Sequence, residues 1–194
     1  MTSTLVLGSA SPRRARLLAQ LGVTFTQRGA DIDETPATGE APRTYVQRIA
    51  REKARALQGS APLLLTADTT VIAQGQCLGK PEDRAQARDM LERLSASEHE
   101  VCTAVCLLAD STLSELLVCT RVEFITLTGR LIEAYLDTAE PWDKAGAYAI
   151  QGLAGSFVRR IEGSVSNVIG LPLAETRELL EGGGIATGFG HDSV

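Results

Sequence analysis

The spacing of apolar and polar positions divides the chain into short blocks of two kinds. Residues 4–7 read as a short buried strand that runs into Gly8-Ser9-Ala10-Ser11-Pro12. Ser11 as N-cap, Pro12 at the first helical position and Gly22 just beyond Leu21 bracket a helix over 12–21. Residues 24–28 alternate as a strand, and 29–41 form a loop carrying Asp31, Asp33 and Glu34. An amphipathic helix is expected from Pro42 to about Gln58. Residues 63–67 make a compact apolar strand that ends at Asp68. After it, 71–73 and 76–78 flank Gln74-Gly75 as a hairpin. A helix over 83–94 buries Ala87, Met90, Leu91 and Leu94, and segments 100–109 and 114–127 are long strands joined by Asp110-Ser111. Thr128 caps a helix over 129–138, a Gly/Ala-rich loop covers 140–156, a strand covers 157–161 and a last helix covers 173–180. The mixture of strands and helices, with no repeat and no long linker, predicts one α/β or mixed α+β domain over 1–181 and a flexible tail over 182–194.

Composition narrows the class. With 194 residues, 44% hydrophobic and 22% charged, the chain can bury a core without disulfide staples. Asp and Glu total 24 against 19 Lys and Arg, a formal charge of −5, which argues against a protein that coats a nucleic acid polymer. No apolar run approaches the roughly 18 residues of a membrane span, and MTSTLVLGSASPRR has no basic region ahead of its apolar stretch. A soluble cytoplasmic protein is therefore expected. Cys102 and Cys106 share a strand face about 13 Å apart, four steps of about 3.3 Å, too far for a disulfide. The four cysteines are read as buried, reduced core thiols. With only His99 and His191, a zinc site has little to build on, and a hard cation such as Mg²⁺ suits the chain better.

Four places break the pattern. Arg13 and Arg14 occupy the first turn of a helix, where the dipole favours acidic residues. With Ser9 and Ser11 they make either a phosphate cradle or a solvated basic turn. Lys53 falls near 340° on a wheel of about 100° per residue, inside a stripe made by Val46, Ile49, Ala50 and Leu57. It must snorkel out or meet an anion. Asp68 closes a buried strand, either as a turn former or as a carboxylate opening into a site. Gly79-Lys80-Pro81 and Asp143-Lys144-Ala145-Gly146 each set a lysine beside residues that permit close approach of a ligand. Cations at Arg13, Lys53 and Lys80 beside carboxylates at Glu34 and Asp68 suggest metal-assisted attack of water on a phosphoanhydride. No P-loop motif occurs.

These residues carry a resemblance. The stretches S-A-S-P-R-R (9–14), Asp33-Glu34, A-R-E-K-A (50–54), A-D-T (67–69), G-K-P (79–81), H-E-V-C-T-A-V (99–105), D-K-A-G-A-Y-A-I-Q-G (143–152) and G-S-V-S-N-V-I-G-L-P-L (163–173) resemble the Maf family of nucleotide pyrophosphatases, in order and spacing, to about Leu180. The resemblance implies an α/β fold related to inosine triphosphate pyrophosphatases, with an elongated curved mixed sheet flanked by helices and two lobes around a central cleft. It implies hydrolysis of a nucleoside triphosphate to monophosphate and pyrophosphate with a divalent cation, Mg²⁺, Mn²⁺ or Co²⁺. By the same resemblance Asp68 is the proton acceptor, and Arg13, Thr69 and Gln151 bear on substrate choice. Ser9, Ser11, Arg13, Arg14, Thr69, Lys80 and Gln151 are expected to bind substrate, Asp68, Lys53 and Glu34 to act in catalysis, and Glu34 and Asp68 to hold the metal.

The A-G-A-Y-x-I-Q-G loop is similar to the branch acting on dTTP and UTP rather than the one acting on 7-methyl-GTP. A glutamine amide can both donate to and accept from a pyrimidine edge. Ala149, Thr70 and Val165 depart from the family's usual residues without touching the expected catalytic groups. The alternatives are 7-methyl-GTP or other modified nucleotides as substrate, or a non-catalytic regulator of septum formation. A homodimer is the family's default.

Overall fold

A computed structural model describes residues 4–109 and 111–189. In chain order the elements are β1 (Leu5–Leu7), α1 (Pro12–Gln20), β2 (Phe25–Gln27), α2 (Pro42–Ala56), β3 (Leu63–Ala73), β4 (Gln76–Leu78), α3 (Arg84–Leu94), β5 (Glu98–Ala109), β6 (Thr112–Phe124), α4 (Gly129–Leu136), β7 (Val158–Glu162), α5 (Val165–Ile169) and α6 (Leu173–Gly182). Short 3₁₀ turns fill much of the expected Gly/Ala loop, at Pro141–Asp143, Ala145–Ala147 and Leu153–Phe157. Seven strands form one mixed sheet in the order β2-β1-β3-β5-β6-β7, with β4 on β3. β1 runs parallel to both β2 and β3, whereas β3–β4 and β6–β7 are antiparallel. The α/β class and the mixed sheet are as expected.

The chain divides into two compact units. Among the described residues, the first comprises 4–68, 103–109, 111–118 and 170–189, and the second 69–102 and 119–169. In the first, α1 begins as its sequence dictates: Ser11 Oγ accepts from the Arg14 N–H, and Pro12 follows the cap. It ends at Gly22, whose φ of 71° is the left-handed conformation of a helix stop. A Cβ there would also lie 2.6 Å from the Gly188 Cα. Leu7, Leu18, Ile49, Leu64 and Leu65 are fully buried in this unit. The stretch expected as a flexible tail carries defined contacts through Gly188. Ile185 is buried, Thr187 donates to Glu181 at 2.7 Å, and the Gly188 N–H donates to the Leu21 carbonyl at 2.7 Å. Residues 190–194 lie outside those described.

The core of the second unit is built from α3, α4, β6 and the loop before β7, with Leu91, Leu94, Val122, Phe124, Ile132, Leu136 and Phe157 closely packed. His99, Phe124, Tyr148, Phe157 and Tyr135 meet edge to face in a chain of rings. α5, which the sequence pattern did not reveal, buries Asn167. Its amide donates to the Val101 carbonyl at 2.8 Å and to Thr120 Oγ1 at 3.0 Å. A buried amide in this position satisfies strand groups that a helix of five residues could not otherwise cover.

Two expectations are corrected. β3 does not end at Asp68 but continues unbroken to Ala73, so Asp68 stands mid-strand and not in a turn. Thr69, Thr70, Val71 and Ile72 are β-branched and sustain the extended backbone across it. The cysteines are not all thiols: Cys102 and Cys119 form a disulfide with Cα atoms 4.1 Å apart, while Cys77 and Cys106 remain thiols. Their places relative to the turn explain the pairing. Cys102 precedes Ala109 by as many residues as Cys119 follows Thr112, so folding β5 back on β6 sets them opposite one another.

Candidate active site

Lys53 decides the chemistry of the first unit. The apolar stripe of α2 (Val46, Ile49, Ala50 and Ala54) is buried as the wheel requires, and Lys53 is buried with it. It does not snorkel. Its Nζ donates to Asp68 Oδ1 at 2.7 Å and lies 2.7 Å from Glu34 Oε1, so one ammonium joins two carboxylates. Thr66, two residues before Asp68 on the same face of β3, donates to the Ala50 carbonyl at 2.8 Å. The pairs Ala50–Thr66 and Lys53–Asp68 thus fasten α2 along β3.

The two carboxylates differ in environment. The Asp68 side chain is 12% exposed, whereas the Glu34 side chain is 47% exposed on its loop. The Tyr45 hydroxyl, in the first turn of α2, donates to the Glu34 backbone carbonyl at 3.0 Å. Burial pushes the Asp68 carboxyl above its usual range, and Glu34 adds to that push. Lys53 and Arg14 oppose it without cancelling it. Desolvation wins, and it gives a carboxyl group with raised proton affinity.

Arg14 completes this centre and behaves differently from its neighbour. It is buried, donating from Nε to the Gly170 carbonyl at 2.9 Å and from a guanidinium nitrogen to Ser9 Oγ at 3.0 Å. Burial lowers its proton affinity, and the charges of Asp68 and Glu34 act in the opposite sense. Arg13 is half-buried. Ser9 Oγ also accepts from the Ser11 N–H at 3.2 Å, while Ser11 Oγ caps α1. The 9–14 segment is therefore a knotted turn in which both serine oxygens accept within the protein, leaving their hydroxyl protons to donate. Ser9, Ser11, Arg13, Arg14, Glu34, Lys53 and Asp68 all belong to this one unit.

Thr69, Lys80 and Gln151 belong to the second unit. Thr69 follows Asp68 on β3 and is half-buried. Lys80 is exposed just after β4, where the Gly79 carbonyl accepts from the Gly146 N–H at 3.0 Å. That bond draws the G-K-P turn onto the D-K-A-G-A-Y segment. Gly146 has φ 70°, and a Cβ there would meet Val71 at 3.1 Å. Tyr148 is locked beneath this segment by its hydroxyl, 2.9 Å from His99 Nε2. Gln151 is exposed on the turn that follows, and the carboxylate of Glu140 accepts from the Leu153 N–H at 2.7 Å beside it. Sequence reasoning missed this His99–Tyr148 pair, although both residues sit in the quoted motifs.

The donor set suits a hard cation. Glu34 and Asp68 offer carboxylate oxygens only, and among the described residues no third His, Cys, Asp or Glu joins them in a three-ligand group. Two carboxylates without a full protein cage match Mg²⁺, which keeps waters and takes substrate phosphates as its remaining ligands.

The family model described as Maf-like protein matches residues 4–182. A dTTP/UTP pyrophosphatase of Anaeromyxobacter dehalogenans (strain 2CP-1 / ATCC BAA-258) is 53% identical over 188 residues, covering 95% of this chain and 96% of the relative. One from Pseudoalteromonas atlantica is 53% identical over 182 residues, covering 91% and 95%. Among solved structures, a HAM1 protein from Coxiella burnetii superposes with a TM-score of 0.51 at 17% identity, covering 92% of this chain and 98% of that one, a likeness of fold.

Proposed function

Because this chain belongs to the Maf-like protein family, we propose that it hydrolyses dTTP and UTP to the nucleoside monophosphate and pyrophosphate. Relatives about half identical over nearly their whole length carry that activity in their names. The observation that carries the reading is the Glu34–Lys53–Asp68 chain, a buried carboxyl of raised proton affinity held by an ammonium. A general base works best with its proton affinity raised toward the working pH. Asp68 takes a proton from water, the water oxygen bonds to phosphorus, and the anhydride between the α and β phosphates breaks. Pyrophosphate departs with the electron pair. Arg13, Arg14 and Lys53, all of the first unit, supply positive charge for the triphosphate.

Glu34 and Asp68 would hold Mg²⁺, Mn²⁺ or Co²⁺. When bound, such an ion neutralises phosphate charge and acidifies water. Lys53 keeps both carboxylates placed. The roles of Arg13, Thr69 and Gln151 in substrate choice follow the family pattern, with the Gln151 amide suited to the mixed donor and acceptor edge of uracil or thymine. A cytoplasmic homodimer belongs to the same reading. No helix among the described residues is long and apolar enough to cross a membrane.

The test is pyrophosphate release from a panel of nucleoside triphosphates with each cation. dTTP and UTP should lead, and Asp68→Asn should lower their turnover by about 10²–10⁴-fold, the usual worth of a general base. Preference for 7-methyl-GTP would transfer the chain to the other branch. No release from any nucleotide would favour a regulator that binds without turnover.

A further inference from the structure

We propose that Cys102 and Cys119 form a site of reversible thiol–disulfide exchange, whose reagent is a small monothiol such as glutathione attacking at Cys119. The hairpin sets the two residues opposite one another with Cα atoms 4.1 Å apart. That is close to the roughly 4.5 Å of a non-hydrogen-bonded antiparallel pair, where side chains approach most closely. The strands themselves therefore hold the sulfurs adjacent, and a reduced pair needs no rearrangement of the chain to close again.

Access differs between the two sulfurs. Cys102 is fully buried, whereas Cys119 is only partly covered. An external thiolate therefore reaches Cys119 Sγ. It forms a mixed disulfide there, and the bond to Cys102 breaks with its electron pair passing to the Cys102 sulfur, which takes a proton. A second external thiolate attacks the outer sulfur of the mixed disulfide and releases Cys119 as a thiol. The disulfide and two reduced monothiols thus become a dithiol and one oxidised monothiol. Oxidised monothiol drives the reverse path, so no further oxidant is required.

The location gives the exchange a consequence. The chain passes between its compact units after Cys102 on β5 and after Val118 on β6. Both cysteines belong to the second unit, so the bond ties β5 to β6 within it. Glu34, Lys53 and Asp68 are held by contacts within the first unit, so the staple tunes the endurance of the fold and leaves the catalytic groups in place.

The full chain would be equilibrated in glutathione buffers of graded oxidised-to-reduced ratio, quenched by alkylation, digested and resolved by peptide mass, with melting followed in parallel. The wild-type protein should pass from a Cys102–Cys119 cross-link to two alkylated thiols as the buffer becomes reducing. Its melting temperature should fall by about 6–12 °C for a loop of this length in a chain of this size. Cys102→Ser should accumulate glutathione on Cys119, while Cys119→Ser should leave Cys102 unmodified. Glutathione on Cys102, an unchanged melting temperature, or a pair alkylated even in fully oxidised buffer would each overturn the proposal. None of these readouts involves nucleotide, so failure here is distinct from failure of the pyrophosphatase reading.

Discussion

Replacing Lys53 by methionine keeps the length and apolar body of the side chain but removes the charge that two carboxylates share. Asp68 would then keep a buried carboxylate with the Arg14 guanidinium as its remaining cationic influence. Breaking a buried ion pair from one side costs about 3–5 kcal/mol, because the surviving charge is neither solvated nor paired. Asp68→Asn should cost less, about 1–2 kcal/mol. Lys53 would retain Glu34 at 2.7 Å, half-exposed to solvent, and an asparagine carbonyl can still accept its hydrogen bond.

The two losses should also differ in pH dependence. Without Lys53, the folded-state proton affinity of Asp68 rises further above that of the unfolded chain, whose carboxyl titrates near 3.8. Above that pH the folded state then holds more protons than the unfolded one, so stability falls as pH rises. The Lys53→Met penalty should therefore be largest near pH 7 and shrink as pH falls toward 3.8, because Asp68 takes up its proton above that value and then needs no cation. Urea denaturation of the wild type, both single variants and the double variant at the two pH values measures this directly. A methionine variant no less stable than the asparagine variant at pH 7, or a penalty indifferent to pH, would refute the account of Lys53 as the charge that makes burial of Asp68 tolerable.

Two further outcomes follow from other parts of the fold. Burial pushes His99 down to about 4 from an ordinary 6.5. The unfolded chain therefore takes up this proton first as pH falls, and about 3 kcal/mol of stability is lost between pH 6.5 and 4. Equilibrium denaturation across that range should show a shallower slope for His99→Gln than for wild type, and equal slopes would remove His99 as the cause. Gly22→Ala places a Cβ both at positive φ and against Gly188, so its thermal midpoint should drop by an amount equivalent to about 1–3 kcal/mol. An unchanged midpoint would mean that the chain near Gly188 yields freely.

What could be read in advance depended on how far apart the deciding residues lie in sequence. Ser11-Pro12 and Gly22 fix the ends of α1 by local backbone chemistry, and those ends stand where expected. Lys53 was legible as a misfit because Val46, Ile49, Ala50 and Leu57 define a stripe within a few turns of it. The same test applied to α1 would have separated two arginines that composition treats alike. Arg14, Leu17, Leu18 and Leu21 fall at helical spacing and are all buried, while Arg13 lies off that stripe. Strands offer no such internal check. The continuation of β3 through Asp68 rests on Lys53 supplying a partner from another element, and the Cys102–Cys119 bond rests on which residues oppose one another across a hairpin. Cysteine spacing along one strand could exclude Cys102–Cys106, but only the register across two strands could select Cys119. Lys53 was therefore visible as a charge the core had to accommodate, and Arg14 lay within reach of the same test without being singled out. The identity of what accommodates them, Asp68 with Glu34 for one and Ser9 with the Gly170 carbonyl for the other, depends on contacts that only the folded chain makes.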